Sequence, residues 1–65
     1  MKSQSTFEIF AHNKKTLSYD ALGFEESDCR AEAVSSWCAK NPKRAQVISR
    51  IPDVKITALV YGGGI

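Results

Sequence analysis

The side chains suited to nucleophilic or metal chemistry are few, namely one histidine, His12, and two cysteines, Cys29 and Cys38. These three ligands lack the paired, close spacing of a zinc site. Nucleophilic catalysis needs a nucleophile, a base and an orienting group in a preorganised pocket, and a chain of 65 residues has little volume for one. The sequence therefore predicts no enzyme, no catalytic or metal-binding residues, no cofactor and no small-molecule substrate.

Both cysteines are expected to be reduced thiols. They fall in one predicted helix, where nine residues rise about 13.5 Å, whereas a disulfide needs Cα atoms within roughly 7 Å. Reduced thiols are typical of the cytoplasm. The polar segment 1–5 does not resemble a signal peptide, and no apolar run approaches the ~20 residues of a membrane span. We therefore expect a cytoplasmic protein that does not bind membranes.

The composition is that of a folded domain, because 43% of the residues are hydrophobic and 25% are charged. The length allows one domain with a small core. We therefore predict a single α+β domain over residues 1–65, with flexible ends at 1–4 and 62–65.

The segment that organises the chain is a predicted helix over Ser27–Asn41. Ser27 or Asp28 is suited to cap its first turn, and Asn41-Pro42 is expected to end it, because proline disfavours helix at the preceding residue. One apolar stripe runs along this helix, and Trp37 lies in the middle of it and is expected in the core. The stripe consists of Ala33, Val34, Trp37 and Cys38.

Alternating or apolar segments predict strands in the rest of the chain. The predicted strands are Thr6–His12, Thr16–Leu22, Ala45–Ile51 and Val54–Tyr61, and the first two form an antiparallel hairpin. The predicted order is ββαββ, with one helix packed on one face of a mainly antiparallel three- to four-stranded sheet.

One helix is about 10–12 Å across and covers one sheet face at most. The other face is expected to expose several large apolar side chains, and an apolar patch of that size predicts a partner or a second copy of the chain. The competing interpretation is that these residues are scattered over the surface, or that a bulge turns some of them inward. The predicted protein-binding residues are Phe10, Ile48, Leu59, Tyr61 and Arg50.

Nucleic-acid binding is the alternative function. Phe10 and Tyr61 would offer stacking surfaces on the open sheet face, and basic loops would contact phosphates. Against this, the net charge is only +2, with seven acidic residues, and no paired aromatic–glycine motif of an RNA-recognition sheet is present. The residues predicted for this alternative are Lys14, Lys15, Lys43 and Arg44.

The small size, the hairpin–helix–strand order and the acidic segment Glu25-Glu26-Ser27-Asp28 resemble small accessory proteins of phages and mobile elements. Such proteins often dock onto a host enzyme and block it, but the resemblance assigns no role to any residue. The predicted function is therefore a small protein-binding module, of the kind that inhibits a host enzyme such as a nucleic-acid-handling enzyme, with a homodimer as a further expectation.

Overall fold

The computed structural model describes residues 4–61, which form a three-stranded antiparallel sheet with two helices packed against it. The predicted α+β class is confirmed. The flexible ends that were predicted lie outside the described residues, apart from Gln4. The elements are β1 (Ser5–Asn13), β2 (Ser18–Ser27), α1 (Arg30–Lys40), α2 (Pro42–Ser49) and β3 (Val54–Val60).

The strand order in the sheet is β2-β1-β3, and both outer strands run antiparallel to β1. The predicted hairpin of β1 and β2 is confirmed. In its turn, the Asn13 Oδ1 atom accepts hydrogen bonds from the backbone N–H groups of Lys15 and Thr16, at 2.9 and 3.0 Å. Leu17 takes the left-handed conformation in this turn, with φ of 60°. Asparagine has a stronger preference for that conformation than leucine, so Asn13 was the better candidate from the sequence.

The predicted start of the helix at Ser27 is wrong, because β2 continues through Ser27 and α1 begins at Arg30. Cys29 occupies the N-cap position, and its side chain makes no capping hydrogen bond. Ser27 instead contacts the first turn through its Oγ atom, which donates to Glu32 Oε1 at 3.2 Å. Pairing with β1 at Ser5 holds Ser27 in the sheet and overrides its capping preference.

The strand predicted over Ala45–Ile51 is wrong, because this segment forms most of α2. Pro42 is the first residue of α2, a position where proline is favoured because its missing N–H has no partner to lose. The proline that ends α1 therefore begins a second helix. Ala45 and Ile48, three positions apart, both pack against the core.

The core lies between one sheet face and the two helices. Phe7 and Ile9 from β1 and Ala58 from β3 pack with Ala33 and Trp37 from α1. Trp37 is 3% exposed, so the prediction that it is a core residue is confirmed. Both helices therefore cover the same face of the sheet.

A bulge in β2 sets which of its residues face the helices. Ile9 pairs with Gly23 and Phe10 pairs with Ala21, so Leu22 is the extra residue. Leu22 packs against the core, and Gly23 lies against the Trp37 ring. Two consecutive residues therefore face the helices, and the residues before the bulge are shifted in phase relative to a regular strand.

Candidate functional site

The candidate site is the open face, which we define as the side of the sheet turned away from both helices. Because paired residues of antiparallel strands lie on the same side, the strand register arranges this face in four rows of three residues. The Tyr61 N–H donates to the Thr6 carbonyl at 2.8 Å and so continues the pairing beyond β3. In the order β2, β1, β3 the rows are Glu26–Thr6–Tyr61, Phe24–Glu8–Leu59, Ala21–Phe10–Thr57 and Tyr19–His12–Lys55.

Aromatic rings contact one another across the strands of the open face. The Phe10 and Tyr19 rings meet edge to face, with centroids 5.8 Å apart. The His12 ring stacks on Tyr19 with centroids 4.2 Å apart. The Phe24 and Tyr61 rings meet edge to face at 4.7 Å, and these contacts restrain the rings before any partner arrives.

The apolar side chains of the open face are accessible to solvent. Tyr19, Phe24 and Tyr61 are 51%, 53% and 55% exposed, Leu59 is 42% exposed, and Phe10 at the centre is half-buried. Within residues 4–61, both helices lie on the opposite side of the sheet. The open face is therefore a contiguous exposed apolar patch, which is typical of an interaction site.

Charge is distributed unevenly along the open face. Glu26 and Glu8 occupy the first two rows, the third row carries no charge, and Lys55 lies with His12 in the fourth row. The exposed hairpin turn, with Lys14 and Lys15, extends beyond that row. The face therefore has an acidic end and a basic end, with an apolar centre around Phe10.

The structure places three of the five predicted protein-binding residues, Phe10, Leu59 and Tyr61, on the open face. The predicted placement of Ile48 and Arg50 there is wrong, because α2 runs through Ile48 and ends with Arg50 at its C-cap. Ile48 packs against the core on the helix side of the sheet.

Sequence reasoning missed two residues of the open face, Tyr19 and Phe24. Tyr19 was missed because a regular alternation through β2 puts it on the other face, and the bulge at Leu22 reverses that assignment. Phe24 was missed because the second strand is predicted to end at Leu22, whereas β2 continues to Ser27. The alternation of Phe24 and Glu26 with Gly23 and Glu25 was the available signal for a longer strand.

The basic residues predicted for nucleic-acid binding do not meet on the open face. Lys14 and Lys15 lie in the turn between β1 and β2, whereas Lys43 and Arg44 lie in the first turn of α2. Lys43 and Arg44 line a groove on the helix side of the sheet, and the Arg44 guanidinium lies 5.7 Å from the centroid of the Trp37 ring.

That groove has a volume of about 510 Å³ and lies between α2 and the first half of β2. Its apolar wall includes Leu22, Val47 and Ile51. Asp20 lines the groove from β2, and Lys43 lines it from α2. Its charged residues are Lys43, Arg44 and Asp20, so charges of both signs line the groove.

Within residues 4–61, no group of three or more His, Cys, Asp or Glu side chains is placed to hold a metal ion, and no helix is long and apolar enough to cross a membrane. Cys29 is the exposed N-cap residue of α1 and so lies just outside the helix in which it was predicted, and Cys38 is a half-buried residue of α1. Comparison of the chain with protein-family models, with curated proteins and with solved structures gave no significant match.

Proposed function

We propose that this chain is a protein-binding module that docks through the open face. The observation that carries the proposal is the group of exposed aromatic side chains on a sheet face that neither helix covers. Tyrosine and phenylalanine are enriched at protein interfaces, where large rigid side chains bury much area at little entropic cost. The preformed ring contacts of Phe10 with Tyr19 and of Phe24 with Tyr61 lower that cost further.

The module acts by occupying a surface of its partner. This mode of action is that of the small accessory proteins that the chain resembles in size, which dock onto a host enzyme and block it. Blocking such an enzyme is the activity that we propose to test first. The open face is a shallow sheet surface, and its exposed groups are suited to contact rather than to chemistry.

Nucleic-acid binding is the second candidate, and it is favoured by the stacked pair His12 and Tyr19 beside Lys55. Glu8 and Glu26 on the same face oppose it, because carboxylates repel phosphates. The two candidates differ in their salt dependence. Affinity for nucleic acid falls steeply with added salt, whereas an aromatic protein interface tolerates it.

The test compares two serine substitutions of exposed apolar residues. Phe24 lies on the open face, and Val47, at 60% exposure, lies on the helix side. The wild-type chain, F24S and V47S are each immobilised, and extract from the producing cells or their host is passed over them at high salt. We expect the wild type and V47S to retain the same proteins and F24S to lose them. Equal retention by F24S would contradict the proposal.

A further inference from the structure

We propose that the open face takes a second copy of this chain, in a symmetric dimer whose two-fold axis crosses β1 at right angles near Phe10. This inference rests on the proposed function, because it names the occupant of the same face. Face-to-face packing of two sheets, about 10 Å apart, is the usual way for exposed sheet faces to be buried.

The uneven charge of the open face is the reason for this choice. In a two-fold dimer the same patch lies on both subunits and must complement itself. An axis along the strands would place Glu8 over Glu8 of the partner subunit, which is repulsive. An axis across the strands reverses the direction of one sheet over the other and brings the acidic end of each subunit over the basic end of its partner.

Centring the axis on Phe10 gives a consistent set of contacts. The row of Phe24, Glu8 and Leu59 then lies over the row of Tyr19, His12 and Lys55 in the other subunit. The Phe24 ring then meets the Tyr19 ring, and Leu59 lies over the stem of Lys55. Glu8 lies over His12, one strand away from Lys55. Glu26, one row further out, meets the exposed hairpin turn that carries Lys14 and Lys15 in the other subunit.

The area of the open face predicts a dimer of moderate affinity. Three strands about 4.8 Å apart and four rows about 7 Å apart give a patch of roughly 14 by 27 Å. Two such patches cover roughly 760 Å² as flat areas, and the relief of the side chains brings the buried accessible surface to about 1,000 Å², which is at the lower limit for a specific interface. We therefore expect the dimer of two 7.2 kDa chains to have a dissociation constant in the micromolar range.

Charge reversal tests this arrangement by sedimentation velocity, from low micromolar to millimolar concentration. E8K gives a chain with lysine at positions 8 and 55, and K55E gives a chain with glutamate at positions 8 and 55. Because position 8 faces the row that contains position 55 of the other subunit, one strand away from it, each substitution places like charges in facing rows twice in its own dimer. We therefore expect the dissociation constant to rise about tenfold. In an equimolar mixture of the two variants, the lysines of one chain face the glutamates of the other at both positions. The mixture should therefore form a heterodimer about as well as the wild type forms its dimer.

K43E is the matched control, because Lys43 is an exposed lysine in α2 and lies outside the open face. We expect K43E to dimerise like the wild type, and thermal unfolding monitored by circular dichroism checks that each variant is folded. A wild type that stays monomeric at millimolar concentration would overturn the dimer. A dimer insensitive to E8K and K55E, or a mixture that fails to associate, would overturn this arrangement. A monomeric chain that still captures another protein through Phe24 would leave the proposed function standing.

Discussion

At the residue scale, Gly23 is the position where β2 lies against the indole ring of Trp37. A Cβ atom built on Gly23 lies 3.3 Å from Trp37 Nε1 and 3.7 Å from Cδ1. Only a glycine lets the indole ring approach the strand this closely without displacement. Trp37 is the largest side chain in the core, and Leu22, the extra residue of the bulge, comes directly before Gly23.

Replacing Gly23 with alanine tests this contact. The indole must shift by a few tenths of an ångström, and its burial among core residues resists that shift. We expect G23A to lower the free energy of unfolding by about 1 kcal/mol, despite the entropic gain of replacing glycine. Urea unfolding measures this change.

The W37F background supplies the control for G23A, because phenylalanine lacks the indole nitrogen that lies nearest to Gly23. W37F will itself destabilise the protein, so the comparison is made within that background as a double-mutant cycle. We expect G23A to cost clearly less there than in the wild type. An equal cost in both backgrounds would show that the indole contact does not determine the effect.

At the element scale, one ion pair links β2 to the end of α1. Lys40 Nζ lies 3.0 Å from Glu25 Oε1, and the side chains are 67% and 5% exposed, respectively. The carboxylate is thus held almost entirely inside the fold, with its cation at the surface. Removing the cation leaves a charge that is poorly solvated, and this costs more than loss of an exposed ion pair.

Substitution of Lys40 by methionine tests the link, because methionine keeps the aliphatic stem. We expect K40M to lower the free energy of unfolding by about 1–2 kcal/mol. K43M, which alters an exposed lysine of the neighbouring helix, should change it by less than about 0.5 kcal/mol. In an E25Q background the effect of K40M should largely disappear. Equal effects of K40M and K43M would contradict the importance of the pair.

The sequence predicted those elements whose local pattern and packing agree. The hairpin of β1 and β2 and the strand β3 follow from clear alternation, and α1 follows from the stripe around Trp37. Helix α2 was missed because Val47, Ile48 and Ile51 favour a strand locally, whereas Pro42 at the first helical position and the formers Lys43 to Gln46 favour a helix. Packing of Ala45 and Ile48 against the core decides between them.

The residues of the candidate site were predictable where the alternation along a strand shows which face of the sheet each residue occupies. Phe10, Leu59 and Tyr61 lie on β1 and at the end of β3, where the alternation is regular and their face follows directly. Tyr19 lies before the bulge, which is next to the contact of Gly23 with an indole 14 positions later in the chain. Such a contact is tertiary, and no local pattern encodes it.

At the scale of the whole molecule, both helices cover one side of the sheet and leave the aromatic side open. The choice between protein and nucleic acid as partner is a question of net charge on that side. Two carboxylates and one lysine give the open face no excess of positive charge. We therefore expect a labelled single-stranded pyrimidine oligonucleotide to bind with a dissociation constant above about 0.1 mM at physiological salt, measured by fluorescence anisotropy.

A K14E/K15E double variant serves as the comparison in that titration, because it removes two positive charges from the hairpin turn. We expect it to behave like the wild type. Micromolar binding that weakens steeply with salt and is lost in K14E/K15E would instead support the nucleic-acid alternative.

Photo-crosslinking tests the central claim, that the open face is where this chain contacts protein, most directly. A photoreactive phenylalanine derivative replaces Tyr61 on the open face or, in a separate chain, Val47 on the helix side, both of which are more than half exposed. After irradiation in extract of the producing cells or their host, adducts are identified by mass spectrometry. The account predicts that the Tyr61 position crosslinks to a defined protein or to a second copy of the chain, that excess unlabelled chain competes for the adduct, and that the Val47 position gives none. Adducts at Val47 without any at Tyr61 would contradict it and would place the contact at the helix-side groove.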